Sequence, residues 1–405
     1  MRILLVNQFY PPDLAPTGVM LQDLACVLAA RGHGVTVLCS RHTYAGYVAG
    51  AAAPAGVQVV RVGGATMARR GFGSTLARYL AFHVAAYRQV RRLKPAPDVV
   101  VSMTTPPLIG LTMQRAVRRR STVHVDWLMD LYPHVLVAHG LIREGGLPHR
   151  ILMCLTRRQW NASAQIVALG EGMARKVRAV ISMPLASRVE TVPLWVPTGL
   201  HPWPEGQVNP LRSSRRWADD ETVFLYSGNM GLGHAVSPFL EVANRLATFP
   251  GLRWAFCGEG RRLGDVAAFA GLHPSARVEC LPYAAPADLH SHLCSADIHL
   301  VSLRDSWADL IMPSKLQAAF AVGRPVLFAG PIDSDPARWI LESGGGWVVA
   351  GDDADGLAQA VMECRDPPER RRRGVAAYRF ACARFNQKVN CDRLTELIEN
   401  SVCAK

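Results

Sequence analysis

The feature that most constrains this chain is a pattern that runs twice. Short apolar, β-branched runs alternate with stretches of helical periodicity, as in parallel sheets wrapped by helices. The first series of runs covers residues 2–7, 35–40, 57–62, 99–103, 122–126 and 165–169. Residues 18–31 and 75–93 carry apolar side chains at helical spacing, and the first of these stops at Gly32-His33-Gly34. Pro193, Pro197, Pro202, Pro204 and Pro210 then crowd a polar stretch that reads as a linker. The pattern restarts with runs at 222–227, 253–258, 277–281, 298–302, 325–329 and 346–349. A chain of 405 residues is too long for one ordinary core. The expectation is therefore an α/β chain of two domains, 1–200 and 217–380, joined by a linker at 201–216. Ligands of open parallel sheets bind beyond the carboxyl ends of the strands. Two such sheets facing one another make a cleft, which is the expected site.

Charge and cysteine content narrow the partners. The formal net charge is +13, which calls for an anionic partner: a nucleotide diphosphate, an anionic lipid surface or nucleic acid. No recognised nucleic-acid module or aromatic stacking platform appears, so nucleic acid is not expected. The ten cysteines are scattered with no CxxC pair, which reads as reduced thiols of the cytoplasm. No apolar run is long enough to span a bilayer, and the N-terminal run is too short for a signal peptide. The expected location is the cytoplasm, or the inner face of the cell membrane as a peripheral protein.

Four segments can carry chemistry. The loop after the first strand contains Tyr10, Pro12, Thr17 and Gly18 and can aim backbone N–H groups at an anion or a hydroxyl. It lacks a GxGxxG fingerprint, which argues against a dinucleotide and a dehydrogenase. The run His124-Val125-Asp126-Trp127-Leu128-Met129-Asp130 ends a strand with two acids. Asp126 or Asp130 can orient an acceptor hydroxyl or act as a base; alternatively Asp130 caps the next helix. The turn Gly228-Asn229-Met230-Gly231 opens the second domain, where glycines let the backbone approach a phosphate. Finally, Pro313 and Ser314 are good helix starters. Lys315 then sits in a first turn, where a cation is unfavourable unless an anion lies nearby.

Arg69, Arg70, Arg78, Arg88, Arg91, Arg92 and Lys94 interleave with Phe72, Leu76, Leu80, Phe82 and Tyr87, and Arg115, Arg118, Arg119 and Arg120 follow. The first group suits an amphipathic helix on an anionic membrane surface. Asp333-Ser334-Asp335 and Asp353-Ala354-Asp355 match a metal-binding DxD pattern but fall in late loops and read as surface turns. The thirteen histidines show no metal-ligand spacing, so no metal site is expected.

Taken in order, these segments resemble family 4 glycosyltransferases of the GT-B fold, in the branch used for bacterial exopolysaccharide, colanic acid and O-antigen. The resemblance rests on Ile3–Pro12 with Gly18, Leu28–Val37, Thr104-Thr105-Pro106-Pro107 and Asp130-Leu131-Tyr132-Pro133. It continues through Tyr226–Gly231, Gly258-Glu259-Gly260, Leu281-Pro282-Tyr283, Pro313-Ser314-Lys315-Leu316 and Gly323-Arg324-Pro325. It implies two Rossmann-like domains facing across a cleft, with a helix at 381–405 packing back on the first domain. It also implies retaining, metal-independent transfer without a cofactor. The donor, a UDP- or GDP-sugar, would contact Gly228, Asn229, Met230, Gly231, Gly258, Glu259, Gly260, Pro282, Tyr283, Pro313, Ser314, Lys315 and Leu316. A glycan or polyprenyl-diphosphate-linked acceptor would lie near Tyr10, Pro12, Thr17, Gly18, Thr105 and Pro106, with Asp130, Asp126 and Lys315 as catalytic candidates. The chain departs from the family in one respect: a pair of glutamates eight positions apart is replaced by Leu310 and Ala318. That departure keeps open a scaffold with a decayed transferase site. A sugar-nucleotide 2-epimerase of similar fold is the other alternative.

Overall fold

The computed structural model describes residues 1–13, 15–41, 53–63, 72–260 and 262–403, and the side chains of 72–74 and 286 are not described. Arg69 and Arg70 of the basic segment lie outside the described residues. The chain divides into two compact units, residues 1–194 with 388–405, and residues 195–387.

In the first unit the order is β1 (Arg2–Val6), α1 (Pro16–Ala30), β2 (Gly34–Ser40), β3 (Val57–Val62), α2 (Phe72–Arg92), β4 (Val99–Ser102), α3 (Ile109–Val117), β5 (Val123–Trp127), α4 (His134–Ala138), α5 (Leu147–Asn161), β6 (Gln165–Ala168), α6 (Glu171–Val180) and β7 (Val189–Thr191). Its seven strands are ordered β3-β2-β1-β4-β5-β6-β7, all parallel. The strands are nearly continuous in apolar side chains because helices cover both faces. Phe82, Ala86 and Val90 of α2 and Met113 of α3 bury against Leu4, Val6 and Val100. The last carbonyls of α2 are held by Arg120, whose guanidinium donates to Val90 O, Leu93 O and Arg91 O at 3.2, 3.3 and 2.6 Å. Arg120 is therefore a structural clasp and not part of a free basic surface.

The second unit runs α7 (Pro210–Ser214), β8 (Thr222–Ser227), α8 (Ser237–Arg245), β9 (Leu252–Cys257), α9 (Leu263–Leu272), β10 (Val278–Leu281), α10 (Leu289–Cys294), β11 (Ile298–Ser302), α11 (Lys315–Ala321), β12 (Val326–Ala329), α12 (Asp335–Ser343), β13 (Gly346–Val349), α13 (Ala354–Glu363) and α14 (Pro367–Arg384). Its six parallel strands take the order β10-β9-β8-β11-β12-β13. Phe224 stacks on Trp254 at 4.5 Å in the middle of this core. Such burial contributes about 1.5–3 kcal/mol per large apolar side chain. The last helix, α15 (Gln387–Cys403), belongs to the first unit from Lys388 onward. There Arg31 bonds Asp392 at 2.7 Å, and Asn390 Nδ2 donates to Pro193 O at 3.1 Å.

Three expectations change. Residues 201–216 are built into the second unit: Asn209 caps α7 through Leu211 N and Arg212 N, and its Nδ2 donates to Ser291 O at 2.8 Å. Strand β7 was not anticipated. Asp335 is not on a surface turn; it is buried in the first turn of α12 and ion-paired with Arg338 at 2.6 Å.

Both sheets reverse their winding between the first and fourth strands of the unit, between β1 and β4 and between β8 and β11. At such a switch point adjacent connections diverge to opposite faces and leave a crevice at the carboxyl ends. The fold thus nominates the loops after β8 and β11 in one unit, and after β1 and β4 in the other.

Candidate functional site

In the second unit, β8 ends at Ser227 and the chain turns at Gly228, whose φ is 122°. β9 ends at Cys257 and turns through Gly258 and Gly260, at φ 137° and 125°. These values favour glycine, and the packing requires it as well. A Cβ on Gly258 would overlap the Gly228 carbonyl, and one on Gly260 would come within 2.6 Å of Met230 O. The two turns are bonded through Gly228 N to Cys257 O at 2.9 Å and Met230 N to Glu259 O at 2.7 Å. The N–H groups of Asn229 and Gly231 make no hydrogen bond among the described residues.

Lys315 lies over this turn, although it is 87 positions from Gly228 in the chain. Its Nζ donates to Asn229 O at 3.1 Å and sits 4.9 Å from the centre of the Tyr226 ring. It also approaches His234 Nε2 at 3.4 Å. The other nitrogen of that ring donates to Ser302 O at 2.7 Å, so Nδ1 carries the proton and Nε2 offers a lone pair to the lysine. No carboxylate partners Lys315 among the described residues. Burial lowers its ammonium to about 7. Burial and the nearby ammonium together lower His234 to about 4. The arrangement is a cation held without a counter-ion beside two unpaired N–H groups, the equipment of an anion site.

The other proposed donor residues divide. Glu259 and Gly260 are exposed beside the turn, and Tyr283 is exposed after β10. Pro282 O accepts from Cys257 Sγ at 2.9 Å, which anchors that loop to β9. Ser314 is exposed at the start of α11 and forms no side-chain cap. Pro313 is buried, and its carbonyl accepts from Leu316 N at 3.2 Å. Leu316 and Met230 are fully buried in the core, so their side chains shape the unit and do not face a ligand. His234, Tyr226 and Ser302 were missed as site residues; only the position of His234 at the end of the glycine turn hinted at it. At the positions of the absent glutamates, Leu310 is buried and Ala318 packs against the Leu293, Cys294 and Val322 cluster.

In the first unit, Gln8 N donates to Thr105 O at 2.9 Å, so the loops after β1 and β4 meet at the switch point. Thr17 Oγ1 lies 3.4 Å from Asn7 Nδ2, Pro12 is exposed and Pro106 is buried. Tyr10 is buried and its hydroxyl has no hydrogen-bond partner among the described residues; burial raises its pKa. Gly18 lets α1 approach Tyr10, to which a Cβ would come within 3.1 Å of the Cα. Thr104 Oγ1 accepts from the N–H groups of Met129 and Asp130 at 3.3 and 3.2 Å, which ties in the loop after β5. Asp130 lines a cavity of about 20 Å³ with Thr104, Tyr132, Gln159 and Trp160, room for a water. Its carboxyl has no hydrogen-bond partner among the described residues, and burial raises it to about 6. It does not cap α4, whose N-cap is Pro133.

Asp126 is placed differently, and its catalytic assignment is corrected. On β5 its side chain shares a face with His124 and points under α3 and α5. Gln159 Nε2 and Ser163 Oγ donate to its two oxygens at 2.7 Å each, and Ser102 Oγ adds a third bond at 3.3 Å. A Cβ on Gly110 would come within 2.6 Å of Oδ1. Sealed and saturated in this way, Asp126 ties two helices to the sheet.

A glycosyl transferase 4-like domain model matches residues 17–195, and a model of glycosyl transferases group 1 matches residues 221–366. The chain belongs to the family 4 glycosyltransferases. Among relatives of this glycosyltransferase, a probable glycosyltransferase WbjE of Pseudomonas aeruginosa is 25% identical over 274 residues, covering 66% of each chain. The putative colanic acid biosynthesis glycosyl transferase WcaI of Escherichia coli K12 is 26% identical over 340 residues, 80% of this chain and 82% of that one. Solved structures share the fold. Sucrose-phosphate synthase from Thermosynechococcus elongatus superposes with a TM-score of 0.78 at 15% identity, covering all of both chains. WaaG, a glycosyltransferase involved in lipopolysaccharide biosynthesis, gives 0.72 at 16% identity over 98% of this chain and 99% of that one. Anabaena HepE, solved with UDP and glucose, gives 0.70 at 14% identity over 99% of this chain and all of the other. The enzyme thus has the GT-B class of α/β fold, two parallel-sheet Rossmann-like units.

Proposed function

We propose that this glycosyltransferase moves a sugar from a nucleoside diphosphate donor to a lipid-linked glycan, in the synthesis of a bacterial surface polysaccharide. The observation that carries the donor half is Lys315, a partly buried ammonium that has no carboxylate partner among the described residues, beside N–H groups of Asn229 and Gly231 that make no hydrogen bond among them. As the bond from the sugar to the diphosphate breaks, charge grows on the leaving oxygens. Fixed donors already aimed at that position stabilise it without reorganising. Lys315 and the amides supply this charge complement, so the transfer is read as metal-independent. Gly258 to Gly260 and Pro282-Tyr283 border the same turn and are assigned to the nucleoside and sugar. The acceptor half rests on Asp130, whose carboxyl has no hydrogen-bond partner among the described residues, lines a small cavity in the first unit and can accept a hydrogen bond from a sugar hydroxyl. The involvement of surface polysaccharide is supported by the names of the relatives WcaI and WaaG.

A thermal-shift screen with UDP, GDP, dTDP, CMP and NAD, each at millimolar concentration, tests the reading, since stabilisation follows ligand concentration over Kd. A shift with one nucleoside diphosphate, lost in Lys315→Met, and none with NAD is the expected result. No shift with any nucleotide would overturn it in favour of a non-catalytic scaffold. If the matching sugar nucleotide is instead converted without acceptor to an epimer, the chain is a 2-epimerase.

A further inference from the structure

Elsewhere in the second unit arginines are paired with acids: Arg212 with Asp297 at 3.0 Å, Arg253 with Glu221 at 2.8 Å and Arg338 with Asp335 at 2.6 Å. Lys315 is surrounded by neutral groups instead. An ammonium has three N–H groups. One is directed at Asn229 O, 3.1 Å away, and a second at His234 Nε2, at 3.4 Å, with the centre of the Tyr226 ring 4.9 Å from the nitrogen. Two directed bonds fix the third N–H, which has no partner among the described residues.

His234 is itself held in place. Its Nδ1 donates to Ser302 O at 2.7 Å. On either side of it, Ala235 N donates to Ser302 Oγ at 3.1 Å and Arg304 N donates to Gly233 O at 2.9 Å. The glycine turn after β8 is thereby laced to the loop after β11, across the switch point of the sheet. Gly233 leaves no room for a side chain there, since a Cβ would come within 2.9 Å of the Trp307 ring. The imidazole is left with one orientation, its lone pair toward the lysine. Burial and the nearby ammonium keep the ring neutral down to about pH 4. Tyr226, on β8, also faces the ammonium, and burial raises its hydroxyl pKa, so it too stays neutral.

A carboxylate in the place of His234 would orient the lysine equally well. It would also cancel the field of the ammonium and repel an anionic ligand. A neutral imidazole does the first without the second.

We infer that His234 is a positioning residue for donor binding, a neutral acceptor that aims the Lys315 ammonium and leaves its whole charge to the diphosphate. The inference rests on the donor reading above and adds a residue to it.

The test compares wild type with His234→Gln, His234→Leu and His234→Glu. Calorimetry at pH 6 and pH 8 uses the nucleoside diphosphate selected by the thermal screen, and melting temperature reports on the fold. The glutamine variant keeps a neutral acceptor and should bind close to wild type. The leucine variant should bind more weakly, and its affinity should begin to fall at a lower pH than the value near 7 set by Lys315 in wild type. The glutamate variant keeps an acceptor but cancels the charge. It should bind about 10–100-fold more weakly at pH 6, like loss of the charged contact itself. Its carboxylate also raises the lysine pKa, so the uptake of about 0.9 proton at pH 8 expected of wild type should vanish. A purely structural histidine predicts instead that affinity follows melting temperature across the variants and that proton uptake persists in whatever folds. That result, or a glutamate variant that binds as tightly as wild type, would overturn the inference. If the glutamate variant does not fold, the other two decide it, and equal affinities for the glutamine and leucine variants would overturn it. Absence of a nucleotide shift in wild type would instead bring down the donor reading, and this inference with it.

Discussion

Replacing Lys315 with methionine keeps much of the side chain's volume and removes its charge, and the structure sets three consequences. In the free protein the lysine titrates near 7 because burial penalises its ammonium. A bound diphosphate restores the charged form, so at pH 8, where about nine-tenths of the free lysine is neutral, binding should take up about 0.9 proton per chain. At pH 6 the uptake should fall to about 0.1 proton. Calorimetry in buffers of different ionisation enthalpy measures this number directly. Apparent affinity should weaken by up to tenfold per pH unit above 7, and the methionine variant should lose both the uptake and that slope. At pH 6 the variant should bind about 10–100-fold more weakly, the loss of a charge-assisted contact of about 1.5–3 kcal/mol. Stability moves the other way. The folded-state pKa is below the unfolded value, so the cost of the buried ammonium is fully present below pH 7 and disappears as pH rises toward the unfolded pKa of about 10.5. Lys315→Met should therefore melt at an equal or higher temperature at pH 6. Proton uptake that persists in the variant, or a variant that binds as tightly as wild type at pH 6, would refute the reasoning.

Gly258→Ala should cost about 3 kcal/mol in denaturant unfolding, from an unfavourable φ and overlap with Gly228 O, and should abolish nucleotide binding where folding survives. Asp126→Asn places an amide N–H against either Gln159 or Ser163. It should destabilise by about 1–3 kcal/mol while leaving donor KM unchanged, which kinetics on the folded fraction checks. Asp130→Asn should remove a limb near pH 6 from the pH profile of acceptor kcat/KM. Because the folded pKa of Asp130 is raised, its contribution to stability is present at acid pH and lost as pH rises through about 6. The asparagine variant should therefore melt no lower than wild type at pH 8.

The double α/β pattern was legible because strands buried on both faces must be apolar throughout, as in Val99–Ser102 and Thr222–Ser227. Strand β7 was not, since its three residues carry too little pattern to stand out after a short 3₁₀ turn. The proline-rich stretch read as a linker because composition reports local stiffness and not distant contacts. Asn209 meeting Ser291, and the His201 ring lying 4.2 Å from that of His290, are invisible to composition. In the site, Gly228, Gly258 and Lys315 could be found from motifs, whereas His234 could not be tied to a lysine 81 positions away. Asp126 misled for a related reason. Strand alternation gives its face but not what covers that face, and here the cover is Gln159 and Ser163 from beyond the next connection.

The most direct test of the central claim is hydrogen exchange of the full chain with and without the nucleoside diphosphate selected by the thermal screen. New protection should concentrate in residues 228–234, 258–260 and 313–317, all at the carboxyl ends of strands in the second unit, and should disappear in Lys315→Met. Protection confined to the first unit, or spread evenly with none at Asn229 and Gly231, would contradict the placement of the donor site.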